Sequence, residues 1–239
     1  MKSLKTKLMQ IFAIVMVAFM ATSCLDTGKN ENPTYYQDIV TIGASEDGAQ
    51  VWFTGARGRL LANGVPTTMP IKNYVGCRAL LYYSDAEKVV PGFDKVVNIA
   101  AISIANTNFG VKTASTAEEL AAFGEEPMVV EKTDTHLQGE WLDLMASYYV
   151  NSEAKNEFSL VAPDPSLYSG VNVPEGYLYL ELRQKVSKQF SKVQQNKGMV
   201  SFRLQDDYMP ESQGYKGIYL RVETGSAAPT YLKIDNVKQ

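Results

Sequence analysis

Three runs in the second half of the chain alternate apolar and polar residues without a break. Leu178, Leu180 and Leu182 share one parity, as do Val200, Phe202 and Leu204, and Ile218, Leu220 and Val222. The opposite parity carries Ser201, Arg203, Tyr219 and Arg221, with Lys233 and Asp235 in a later run. A period of two puts one set of side chains on a core and the other on water, the mark of an antiparallel sheet with one wet face. Four more β-rich runs, "PMVVEKT", "EWLDLMASYYV", "NEFSLVA" and "TYLKIDNV", lie around these three. Seven strands with turn signals between them predict an immunoglobulin-like antiparallel β-sandwich over residues 126–239, lacking the internal disulfide of antibody domains.

The first half gives five runs: "YYQDIVTIG", "QVWFTG", "GRLLA", "CRALLYYS" and "KVVNIAAISIA". Asp47-Gly48 marks a turn after the first, and Pro91-Gly92 a turn before the last. The last run has bulky residues on both parities, which predicts burial on both sides. Five short strands suit a small closed barrel of OB-like type over 35–125. "ASTAEELAAFGEEP" is the one clear helix, with Ser115 and Glu118 fitting a capping box and Gly124 and Pro127 a stop. The fold class is therefore all-β, barrel then sandwich, with a short helix near the junction. Two cores of about 100 residues each can fold without staples.

The chain opens on Lys2, Lys5 and Lys7, then an apolar run over 8–20. A bilayer span takes about 20 apolar residues, so this run reads as an export signal over 1–23. Ala21, Thr22 and Ser23 precede Cys24. Small residues ahead of a Cys resemble the lipobox of bacterial lipoproteins, in which that Cys is acylated and becomes the new N-terminus. Ala21 stands where the box usually has Leu. The resemblance implies a membrane partner through lipidated Cys24 and a polar tether over 24–34. Leu25 rather than an acid behind the Cys implies the outer membrane. Several acyl chains anchor stably, since each buried methylene contributes about 0.8 kcal/mol.

Loss of residues 1–23 removes three lysines and no acid, taking the formal charge from −3 to −6. Nucleic-acid binding needs a basic field, so it is not expected. With Cys24 acylated, Cys77 has no partner and reads as a buried inert thiol. His136 is the only histidine, and no G-x-S-x-G elbow accompanies it. Asp206, Asp207 and Glu211 cluster in "LQDDYMPE" without the spacing of a calcium loop. The chain is expected to have no cofactor, no metal and no enzymatic activity; the alternative is an envelope hydrolase using carboxylates distant in sequence.

Two surfaces carry binding chemistry. In the barrel, Trp52 lies on the opposite parity from Val51 and Phe53, with Arg57 and Arg59 following, a set that reads two ways: an ordinary Trp packed under a loop, or an aromatic with two guanidiniums suited to a sugar or a phosphate. In the sandwich, Tyr177, Tyr179, Tyr219 and Tyr231 share the outer parity with Arg183, Arg221 and Lys233. That face reads three ways: strand preference of tyrosine alone, an interface between the domains, or a docking face for a glycan or envelope protein. Lys185, Lys188, Lys192 and Lys197 mark a long hairpin, with anionic headgroups as a second reading.

"CRALLYYS" followed by "VNIAAISI", "EWLDLMASYY" leading to "NEFSLVA", and "YLYLELRQ" leading to "GMVSFRLQ" resemble the NigD-like lipoproteins of Bacteroidetes. The resemblance covers most of the mature chain and implies an OB-like domain followed by a β-sandwich. Family members often carry a His before the strand matching "FSLV" and a His-Asn pair after the strand matching "YLYLELR". Here Asn156-Glu157 and Gln184-Lys185 stand there, so no role of those histidines transfers. The family takes its name from a bacteriocin-associated operon and has no settled activity. The resemblance implies an envelope binding module, with bacteriocin immunity or export as the alternative.

Overall fold

The computed structural model describes residues 33–64, 70–150, 155–187, 194–226 and 228–236. Two compact units divide the chain: residues 1–73 with 81–102, and residues 74–80 with 103–239.

The first unit contains a closed barrel in the order β1-β2-β3-β5-β4. Its strands are β1 (Tyr35–Ala44), β2 (Val51–Gly55), β3 (Gly58–Ala62), β4 (Arg78–Asp85) and β5 (Lys95–Ile104). β1–β2 and β2–β3 are antiparallel hairpins, whereas β3 and β5 run parallel. Val40, Ile42, Val51, Phe53, Leu60, Leu81 and Tyr83 are buried, alternating along their strands as a barrel interior requires. β5 is not buried on both sides along its length. Only Val96 and Val97 are buried, beside the short pairing with β3, and Ala100, Ala101 and Ser103 are exposed.

The second unit is a two-sheet sandwich. One sheet runs β14-β13-β11-β10-β7 and the other β6-β12-β9-β8. Its strands are β6 (Asn106–Phe109), β7 (Lys112–Ala114), β8 (Met128–Gln138), β9 (Trp141–Val150), β10 (Asn156–Pro163), β11 (Tyr177–Val186), β12 (Gln194–Arg203), β13 (Gly217–Val222) and β14 (Thr230–Asp235). One apolar cluster joins them, with Leu142, Leu144, Val200 and Phe202 from one sheet against Leu160, Leu180, Leu182 and Leu220 from the other. The seven expected runs are all strands. β6 and β7 are additional, and each pairs in parallel at a sheet edge, with β12 and β10 respectively. β11 and β13 are also parallel, because the intervening strand β12 crosses to the other sheet. The sheets are mixed rather than purely antiparallel.

Helix α1 (Ala117–Ala121) starts one residue later than the expected box: Thr116 is the N-cap, and its side chain accepts from Glu119 N–H. Glu119 in turn accepts from the Ser115 N–H at 2.7 Å, so the reciprocal cap exists with shifted members. Gly124 ends this segment at φ +89, where a Cβ would meet the backbone of Gln184 and Lys185 on β11. A second short helix, α2, spans Pro210–Gln213.

Candidate functional site

On the barrel, Trp52 sits opposite Gly43 of β1 and Leu61 of β3. Its indole lies so close to Gly43 that any Cβ there would overlap the pyrrole ring. Arg59 pairs with Thr54, diagonal to Trp52 on the same side of the sheet. Its guanidinium carbon is 4.5 Å from the Trp52 ring centre and 4.8 Å from that of Phe93. The two rings are 6.3 Å apart and inclined by 52°, so the cation sits in the angle between them. The negative ring faces hold it there. The Arg59 N–H donates to Asp94 Oδ2 at 2.7 Å, which fixes the backbone beneath.

Phe93 was not among the expected residues; its signal is an aromatic in the β4–β5 loop, which borders the strand 2–3 face of such barrels. Arg57 does not join this group. It lies over Tyr36 at 4.5 Å, a ring that Lys95 Nζ also approaches at 5.4 Å. Lys95 bonds Asp85 at 2.5 Å, and that hydrogen bond pushes its pKa up. The β1–β2 turn is tied by Asp47, which accepts from Ser45 Oγ at 2.6 Å and Ala49 N–H at 2.9 Å. These bonds, the Ser45 one foremost, hold its carboxyl below the usual range.

The sandwich face divides into a buried half and an open half. Tyr179 and Arg183 are 5% and 4% exposed, so the expected open surface does not include them. The physical reason is local. Arg183 Nη1 donates to Gly124 O and to Glu125 Oε1 at 3.2 Å, and Tyr168 of the 165–168 turn lies on Tyr179 with ring centres 4.2 Å apart. Glu181, also missed in the sequence, is the hub beneath. Its Oε2 accepts from Arg183 Nε at 2.8 Å, from Arg183 Nη2 and from Arg221 Nη1 at 3.3 Å, while Oε1 accepts from the Tyr179 hydroxyl at 2.9 Å. Burial, then the Glu181 charge, pushes the Tyr179 phenol far up. Burial works against the charge on Arg221, but Glu181 and Glu223 outweigh it and its pKa rises.

The open half is a row of rings. Tyr219 faces Tyr179 across β11–β13, with centres 6.4 Å apart, and stacks on Tyr231 at 5.4 Å with planes 13° apart. Both Tyr219 and Tyr231 are half-buried. Tyr177 lies at the end, where Lys233 Nζ is 4.7 Å from its ring and its hydroxyl donates to Asp235.

Of the other expected residues, His136 stands on β8 opposite Asp143 and is exposed. Cys77 is partly exposed just ahead of β4, not buried. Lys185 donates to Ala122 O at 3.1 Å, capping the end of α1, and Lys197 pairs with Asp134 at 3.0 Å. Asp206 through its carbonyl accepts from Ser212 Oγ at 2.5 Å, and Glu211 accepts from Asn236 at 3.2 Å. Gln184 Nε2 donates to Asn156 Oδ1 at 3.0 Å. Cys24, Lys188 and Lys192 lie outside the described residues.

No protein-family model and no curated protein matches the chain. Solved structures do. A protein of unknown function from Bacteroides vulgatus aligns at TM-score 0.64 and 20% identity, over 84% of this chain and 90% of that one. A candidate lipoprotein from Bacteroides fragilis aligns at 0.53 and 14%, over 84% and 98%. A NigD-like immunity protein from Bacteroides caccae aligns at 0.51 and 17%, over 84% and 92%. The chain has a NigD-like fold. The barrel and sandwich implied by the sequence resemblance are thus present in one chain, and at these identities the likeness speaks for architecture alone.

Proposed function

We propose that this chain is a non-catalytic binding module of the cell envelope, anchored in the outer membrane by acylated Cys24, that docks a glycan or envelope protein through its tyrosine row. The stacked Tyr219–Tyr231 pair carries this reading. Two rings held by each other and by the strands beneath lose little conformational freedom on docking, and each offers an apolar face with a polar tip. The buried Glu181 network behind them makes the platform rigid. A lipoprotein-like neighbour in the same fold supports the address.

The test combines a glycan array with pull-downs from envelope extracts, using the full chain and a Tyr219→Ala/Tyr231→Ala variant. Binding that falls by tenfold or more in the variant, as truncating interface anchors of about 2 kcal/mol would give, supports the reading. Silence of the unsubstituted chain in both assays defeats it. Loss of acylation in Cys24→Ser, read by mass, checks the anchor separately. The immunity protein among the structural neighbours favours a second reading, protection against or export of a bacteriocin. Equal bacteriocin sensitivity in a deletion strain and its parent would remove the immunity form of it.

A further inference from the structure

The barrel group around Arg59 is a different site from the tyrosine row. Aromatic side chains that stack sugars need a free ring face. The Trp52 indole has the β1 backbone at Gly43 against it and Arg59 over it, so it serves as the seat of the guanidinium. Phe93 closes the other side of the same cation. Among the described residues the Arg59 side chain donates no hydrogen bond and makes no ion pair, yet it is exposed. Asp94, the nearest acid in sequence to this group, is engaged by the Arg59 backbone N–H. A guanidinium held in place by two rings, with its planar fork of donors open to solvent, is a receptor for a carboxylate or an equivalent oxyanion. Thr54, exposed and directly across the strand pair, adds a hydroxyl beside it.

Charge narrows the ligand. The chain is net acidic, so a densely charged polyanion such as nucleic acid meets overall repulsion, and one isolated arginine supplies no basic field. What fits is a ligand with single, spaced anionic groups on an otherwise neutral polar chain. This face of a five-stranded barrel of order 1-2-3-5-4 is the one that takes oligosaccharides in OB folds. We infer that the Trp52–Arg59–Phe93 group binds an acidic saccharide by pairing its carboxylate or sulfate with the open edge of Arg59.

Titration calorimetry on the full chain tests this with four probes: oligogalacturonate, its methyl ester, a sulfated galactan oligosaccharide and its desulfated form. The expected result is binding of at least one acidic probe about tenfold or more tighter than its neutral counterpart, a margin matching the loss of a charge-assisted hydrogen bond. Whichever acid binds identifies the group as carboxylate or sulfate. Arg59→Gln and Arg59→Lys should both abolish the preference, because an ammonium lacks the planar fork. Gly43→Val, which pushes the indole off its seat, should weaken it without touching Arg59. The variants are checked for native circular dichroism first. Equal binding of acid and neutral probes, an acid preference that survives Arg59→Gln, or no binding of any probe overturns the inference. The tyrosine-row reading stands or falls on Tyr219 and Tyr231 alone.

Discussion

Arg183 follows Glu181 by two residues on the outward side of β11, and its Nε donates to Glu181 Oε2 at 2.8 Å although each residue is only 4% exposed. Two neighbouring charges on one strand face are normally separate and wet. Here they are driven together because the Gly124–Glu125 segment and Tyr168 lie over them. Removing Glu181 takes from the buried Arg183 its nearer counter-charge and leaves it only the exposed Glu125 at 3.2 Å. Glu181→Leu is therefore expected to cost about 3–5 kcal/mol, the usual penalty for orphaning a buried charge. Urea unfolding of the variant measures it; a loss under about 1 kcal/mol would mean the network is solvated.

A second buried pair, within the second unit, obeys the same logic and allows a sharper test. Arg78 grips Asp143 through two bonds, Nε to Oδ1 at 3.2 Å and Nη2 to Oδ2 at 2.5 Å, and also lies 5.1 Å from the Trp141 ring. Ser201, directly across from Asp143, is fully buried beside it. Asp143→Leu alone should destabilise by about 3–5 kcal/mol, while Arg78→Met/Asp143→Leu should recover most of that, since a packed apolar pair does not have to be desolvated as ions are. Comparing the urea midpoints of the two variants decides it.

Parity told which side of each strand a residue occupies, but not what else covers that side. Leu180, Leu182, Val200, Phe202, Ile218 and Leu220 were legible as core because alternation alone fixes their face. Tyr179 and Arg183 were assigned the outer face correctly, yet they are buried, because α1, the loop after it and the 165–168 turn pack there. β6 and β7 were not legible. "NTNF" and "KTA" have little strand preference of their own and are strands only through pairing with β12 and β10. The parallel partnership of β11 and β13 depends on which sheet β12 joins, a tertiary fact that local pattern does not carry. In the barrel, Trp52 and Arg59 were within reach of sequence reasoning because they lie on adjacent strands. Phe93 comes from a loop 34 positions after Arg59 and is brought in by the parallel pairing of β5 with β3.

Gly124 is the hinge point of the cover over β11. It adopts φ +89, and a side chain there would run into the Gln184 carbonyl and the Lys185 Cα. Gly124→Ala must therefore both strain its own backbone and push the 122–126 segment away from the strand. The expected cost is about 2–3 kcal/mol, combining left-handed strain with overpacking. Hydrogen exchange gives the more specific readout. The Glu126 N–H, which donates to Gln184 O at 3.1 Å, should lose protection, whereas amides in the β9–β12 pairing should keep theirs.

Tyr179 makes the fold sensitive to alkali. Its hydroxyl donates to Glu181 in a buried site, and burial and the adjacent carboxylate push its pKa above the ordinary value of 10. In the unfolded chain the phenol releases its proton near pH 10; in the folded protein it keeps the proton to higher pH. The native state then binds more protons than the unfolded state, so stability is complete below pH 10 and declines as pH rises beyond it, by at most about 1.4 kcal/mol per pH unit for this one group. Tyr179→Phe removes the ionisation together with the hydrogen bond. It should lower stability by about 1–3 kcal/mol at neutral pH, and above pH 10 its deficit should shrink as the unsubstituted protein loses the advantage. Parallel stability profiles of the two proteins across that range, from urea titrations at each pH, would show the curves converging; a constant gap would place the Tyr179 hydroxyl in water rather than against Glu181.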